Sequence, residues 1–126
     1  MKEVISTTNA PAAIGPYSQG ISNSGKLLFI SGQIPVDPST GNIEAVTIEE
    51  QAKQSLINLG AILKQANATY DDVVKTTCFI ADMNDFAAFN KVYSQYFTNN
   101  CPARSCVAVK QLPKNALCEI EAIAII

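Results

Sequence analysis

Two pairs of residues late in the sequence, Arg104 with Cys106 and Glu119 with Glu121, are spaced by two, the period at which β-strand side chains share a face. On a strand, Arg104 and Cys106 could bring a guanidinium and a thiol into one pocket, with Ser105 on the other side. Glu119 and Glu121 would interrupt an otherwise apolar strand, in which Cys118, Ile120, Ala122, Ala124 and Ile126 share the opposite face. Histidine is absent, so the chain has no Ser-His or Cys-His catalytic pair and no imidazole base. It also lacks the P-loop pattern and the GxGxxG dinucleotide pattern, which leaves nucleotide chemistry without support. Each candidate has a structural reading too. Arg104 could form a surface salt bridge worth about 0 to 1 kcal/mol. Glu121 could end at the sheet edge or pair with a cation. For Glu119 the pattern does not decide, although an unpaired buried carboxylate is costly unless it is hydrogen-bonded or functional. Tyr17, behind the Gly15-Pro16 turn, reads equally as core plug or pocket wall.

The elements that must position these residues follow from local signals. Asn9 to Pro16 is a Pro/Gly/Ala-rich loop, and Ile14 to Tyr17 is a turn that presents an aromatic ring. Leu27 to Ser31 reads as a short strand ended by Gly32, and Pro35 to Gly41 as a turn region. Thr47-Ile48-Glu49-Glu50 matches a capping box, so a helix should begin there. Ala52, Leu56, Leu59, Leu63 and Ala66 then line one face, and Gly60 weakens the helix without ending it. Val73 to Ala81 reads as a buried strand rich in β-branched residues. Asp82 or Asn84 can cap a second helix, whose Phe86, Phe89, Tyr93 and Tyr96 fall on one side and read as core. Arg104 to Val109 and Leu117 to Ile126 complete the strands. With a short N-terminal hairpin, this order predicts an α+β arrangement, a sheet covered on one or both faces by two helices.

Composition bounds the partners. The chain of 126 residues fits a single domain spanning residues 1–126, with no internal repeat or long linker. Its hydrophobic fraction is 48% and its charged fraction 16%, below the roughly 25% charged residues of average soluble proteins. Poorly charged surface on a small protein suggests a subunit interface and hence a homo-oligomer. Nine Lys and Arg are scattered without forming a basic stripe, so nucleic acid is not an evident partner. No signal-peptide pattern opens the chain, and its longest apolar run is far short of the ~20 residues of a membrane span. We therefore expect a cytoplasmic protein with no membrane partner. Cys78, Cys101, Cys106 and Cys118 lack CxxC spacing, so no metal site is expected, and Cys78 and Cys118 read as buried reduced thiols.

Several blocks together resemble one family. Asn9 to Gly20 (NAPAAIGPYSQG), Ser31 to Pro35 (SGQIP), Val74 to Thr77 (VKTT), Asp82 to Phe86 (DMNDF), Pro102 to Val109 (PARSCVAV) and Glu119 to Ala124 (EIEAIA) resemble, in order, the reactive-intermediate deaminase (Rid, or YjgF) family. The resemblance spans almost the whole chain. It is closest to the branch active on enamines and imines, because Arg104, Cys106 and Glu119 stand where that branch's motif places them. The resemblance implies a chorismate-mutase-like α+β fold, trimers with pockets between subunits, and no cofactor. The implied substrates are 2-aminoacrylate, 2-aminocrotonate and their imine tautomers, converted to 2-keto acids and ammonia. In that scheme Arg104 binds the substrate carboxylate with its planar fork. Glu119 holds the attacking water and donates a proton to departing ammonia, and the backbone carbonyl of Cys106 holds the substrate nitrogen. Tyr17, Ser31, Gly32 and Asn90 match positions that shape or hydrogen-bond the pocket. The short connection from Thr98 to Cys101 departs from the family pattern and bears on the pocket rim.

Two other functions compete. Relatives described as endoribonucleases that inhibit translation make RNA cleavage one alternative; the missing His and basic stripe argue against it. A noncatalytic carboxylate-binding or chaperone-like trimer is the other, for which Arg104 would suffice and Glu119 would be superfluous.

Overall fold

The computed structural model describes residues 2–126. Strands β1 (Glu3–Ile5) and β2 (Gly20–Ser22) form a separate antiparallel ribbon, with Glu3 opposite Ser22. The main sheet contains β3 (Leu27–Gln33), β4 (Val73–Ile80), β5 (Ala103–Ala108) and β6 (Cys118–Ile125), in the order β3-β6-β4-β5. Strand β6 runs antiparallel to both neighbours, and the edge strand β5 runs parallel to β4. Helix α1 (Ile48–Gln65) connects β3 to β4, and α2 (Phe86–Tyr93) lies in the crossover from β4 to β5.

Both helices cover the same face of the sheet, so the two-faced alternative does not apply. Ala52, Leu56, Leu59 and Leu63 of α1 are buried in one cluster with Ile30, Ile120, Ala122 and Ala124. Phe89 and Tyr93 of α2 belong to the same cluster, as do the buried thiols Cys78 and Cys118. Buried polar groups are paired, which offsets the cost of removing them from water. Thr76 shares a 2.7 Å hydrogen bond with the Tyr93 hydroxyl. The Gln51 amide donates to the Ala45 carbonyl at 3.0 Å and accepts from the Leu117 amide at 2.8 Å.

Local chemistry sets the helix ends and strand bounds. Thr47 caps α1 by accepting from the Glu50 amide at 3.2 Å. Glu50 does reach back, but it accepts from the Thr47 hydroxyl at 3.1 Å rather than from its amide. Asp82 accepts from the Asn84 amide at 2.9 Å and starts a 3-10 turn, Met83–Asp85, from which α2 continues. Helix α2 ends at Tyr93, so Tyr96 packs from the turn beyond it. Gly32 does not end β3. The strand continues to Gln33 through a bulge, because Ile30 pairs with Ala122 while Gln33 pairs with Ile120. That inserts one extra residue on β3, which bends a strand and re-aims its side chains. In α1, Gly60 is a packing requirement: a Cβ there would stand 2.1 Å from the Tyr70 hydroxyl. That hydroxyl donates to the Leu56 carbonyl at 2.7 Å.

Candidate active site

Arg104 sits on the edge strand β5 and packs along α2, from Phe86 at its start to Tyr93 at its end. Its Nη1 donates to Asn90 Oδ1 at 2.6 Å. Three ring faces surround the guanidinium carbon: Tyr93 at 4.8 Å, Phe86 at 5.5 Å and Tyr17 at 5.7 Å to the ring centroids. Phe86, Asn90 and Tyr93 recur at intervals of four and three on α2, which aligns them on one side of the helix. Tyr17 comes from the N-terminal loop. A tight turn, with the Tyr17 amide bonded to the Gly15 carbonyl at 2.8 Å, shapes that loop. Ser18 then ties it to the sheet: its amide bonds to the Pro102 carbonyl at 3.1 Å, its hydroxyl donates to the Cys101 carbonyl, and it bridges to Ala103. The turn passes close over the guanidinium, so that a Cβ on Gly15 would lie 3.8 Å from Arg104 Nη2.

Cys106 lies two residues along the same face and is half-buried. Burial pushes its thiol pKa up, with the Arg104 charge opposing in part. A thiol held protonated is a weak nucleophile. The fully buried Cys78 and Cys118 are pushed further, to about 12, again by burial.

Glu119 lies elsewhere. The register pairs Thr76 with Arg104 and Cys78 with Cys106 across β4 and β5, and Phe79 with Glu119 across β4 and β6. Thr76 and Cys78 face the helices, so Arg104 and Cys106 do too, whereas Glu119 alternates onto the open face. There its carboxylate lies over the β3 bulge: a Cβ on Gly32 would stand 1.9 Å from Glu119 Oε2. Ser31 belongs to the same bulge and is exposed, as is Glu121. The structure thus brings together Tyr17, Asn90, Arg104 and Cys106, and separately Ser31, Gly32 and Glu119. It does not join the two groups within one chain.

Sequence reasoning missed Phe86 and Tyr93 as neighbours of Arg104, because an aromatic stripe at helical spacing reads as core. The signal was Asn90 on that stripe, a polar residue among rings. Among the described residues no cluster of His, Cys, Asp and Glu could hold a metal ion, and no helix is long and apolar enough to cross a membrane. A hollow of about 620 Å³ lies under the N-terminal loop, lined by Val4 to Thr8, Ala10, Ala12, Ala13 and Gln19, away from both groups.

An α+β chain with two helices on one face of a mixed sheet matches a known class. The family model described as endoribonuclease L-PSP matches residues 7–126. A RutC family protein of Pyrococcus horikoshii is 55% identical over 124 residues, covering 98% of each chain. A mouse protein named 2-iminobutanoate/2-iminopropanoate deaminase is 50% identical over 125 residues, covering 99% of this chain and 92% of its own. The crystal structure of a Rid family protein from Yersinia pestis superposes with a TM-score of 0.77 at 50% identity, covering 100% of both chains. The chain therefore belongs to the endoribonuclease L-PSP family, also called the Rid or YjgF family.

Proposed function

We propose that this protein is a 2-iminobutanoate/2-iminopropanoate deaminase that hydrolyses 2-imino acids, and the enamines that tautomerise to them, to 2-keto acids and ammonia. The observation that carries this reading is Arg104: its fixed partners are an amide and three rings, all uncharged, so its positive charge is available to a substrate carboxylate. The name carried by the mouse relative, and by relatives from other organisms at similar identity, supports the same reading.

In this scheme the guanidinium takes the carboxylate through two parallel hydrogen bonds and fixes the imine carbon. Water held by Glu119 adds to that carbon. The C–N bond of the resulting carbinolamine then breaks, the carbonyl forms, and ammonia leaves with a proton relayed by Glu119. The Cys106 carbonyl would steady the nitrogen, in keeping with a thiol held protonated by burial. Imines already hydrolyse in water, so positioning and modest electrostatic help are sufficient and no cofactor is called for.

Arg104 and Glu119 act on one substrate in this scheme only if a second copy of the chain supplies the other residue, and we propose a homotrimer with pockets between subunits. Two observations support it. Leu27, Phe29 and Val107 stand exposed on the open face, Phe29 at 69%. The accessible surface is 7156 Å², against about 6,500 Å² for a compact monomer of this mass. The four free thiols suit a cytoplasmic setting. The endoribonuclease reading is weaker, since neither an imidazole nor a basic stripe is available.

The test generates 2-aminoacrylate in situ with a serine dehydratase and follows pyruvate. Faster release of pyruvate in the presence of this protein is expected, unchanged after chelation. A rate equal to the dehydratase alone would overturn the proposal.

A further inference from the structure

The sequence explains why an arginine stands at position 104 but not why it should hold one orientation. A guanidinium on an edge strand has several rotatable bonds and would ordinarily sample many poses or pair with a nearby carboxylate. Neither description fits Arg104. Its Nη1 is bonded to Asn90 Oδ1 at 2.6 Å, and three ring faces lie within 6 Å of its central carbon. Two of those rings, Phe86 and Tyr93, come from α2, one turn to either side of Asn90. Tyr93 is fully buried, and its hydroxyl is fixed by Thr76 at 2.7 Å, so one wall of the enclosure is locked to the central strand β4.

We propose that Phe86 and Tyr93 are positioning residues: with Asn90 and Tyr17 they form a cage of uncharged partners that fixes the guanidinium plane and leaves its full charge for an anionic ligand. Ring quadrupoles attract the cation without neutralising it. A carboxylate in place of any of these partners would hold the arginine equally well, but would occupy the donors and cancel the charge that the substrate needs. The proposal rests on the reading that Arg104 binds the substrate carboxylate, and adds the reason that the neighbours of this arginine are rings and an amide.

Three variants of the full-length protein test it, with kcat/KM for imine hydrolysis as the readout. Phe86→Leu should lower kcat/KM by about three- to thirtyfold, mainly through KM, and Phe86→Tyr should restore most of it. In an Arg104→Ala background Phe86→Leu should cost nothing further, because it acts only through the arginine. Wild-type behaviour of Phe86→Leu, or a penalty that persists without Arg104, would overturn the proposal. Asn90→Asp should fold normally and lose pyruvate binding by calorimetry; binding as in the wild type would contradict the need for uncharged partners. A second measurement needs no substrate. Ring currents should displace the Arg104 Nε–H proton resonance in the unmodified protein, and Phe86→Leu should move it back. An unshifted resonance would sink the cage even if hydrolysis is observed. A shifted one in a protein that neither binds pyruvate nor hydrolyses imines would keep the cage and reject the deaminase reading.

Discussion

Arg104 and Glu119 occupy different faces of the sheet, and their variants should fail differently. Arg104→Ala removes a charge-assisted contact worth roughly 1.5 to 3 kcal/mol, so calorimetry should show pyruvate binding weakened about ten- to a hundredfold. Glu119→Gln should bind pyruvate normally while imine hydrolysis slows, because the amide cannot pass on a proton. Gly32→Ala gives a subtler split. The added Cβ would meet the far end of the Glu119 side chain at 1.9 Å, and a flexible carboxylate can swing away. Thermal stability should therefore change by less than about 1 kcal/mol. Displacing that carboxylate by about 1 Å should still lower kcat ten- to a hundredfold. A variant with normal kcat would remove the bulge from the mechanism. Strand alternation grouped Arg104 with Cys106 and Glu119 with Glu121, and the structure keeps each pair on one face; the roles given to them, and the choice of Gly32, came from the family resemblance. Which face meets which is invisible to alternation, since it depends on strand order.

At the scale of elements, helix starts were legible from single residues, Thr47 for α1 and Asp82 for the turn before α2. Their hydrogen bonds are local, and so is the sequence signal. Gly60 was read as a weak point because propensity alone says so; its reason is Tyr70, whose ring packs against α1 from the following turn. Gly60→Ala should gain about 1 kcal/mol in helix propensity yet destabilise the protein by about 1 to 3 kcal/mol net, measured by urea titration. Stabilisation would mean that Tyr70 moves aside at little cost. The bulge in β3 escaped the sequence reading because a glycine after an apolar run resembles a strand end. The sheet's buried thiols predict a pH response. Cys78 and Cys118 have folded pKa values of about 12, raised by burial above the unfolded value of about 8.5. Their contribution is complete below about pH 8.5 and is lost as pH rises toward 12. Each should lower stability by up to about 1.4 kcal/mol per pH unit across that window. Cys118→Ala should flatten the alkaline limb of a plot of Tm against pH; an unchanged limb would assign it to other groups.

For the whole molecule, the low charged fraction already pointed to association, and the exposed side chains Leu27, Phe29 and Val107 give that expectation a place on the open face. Phe29→Lys should leave the helix-covered core intact, since the side chain points away from it. Sedimentation should show the proposed trimer giving way to monomer, with the proposed imine hydrolysis lost alongside it. A trimer that survives the change would move the interface off this face. The order of the sheet has one more consequence. Strand β6 lies between β3 and β4 yet is the last of the four strands to leave the ribosome. Until it does, β3 has no partner in the main sheet, and α1 lacks the strand whose Ile120, Ala122 and Ala124 share its buried cluster. Nascent chains stalled before Cys118 should thus be cut readily by protease, and those extended past Ile125 should resist. The same eight residues carry Glu119, so sheet closure and the arrival of the carboxylate are a single event in biosynthesis.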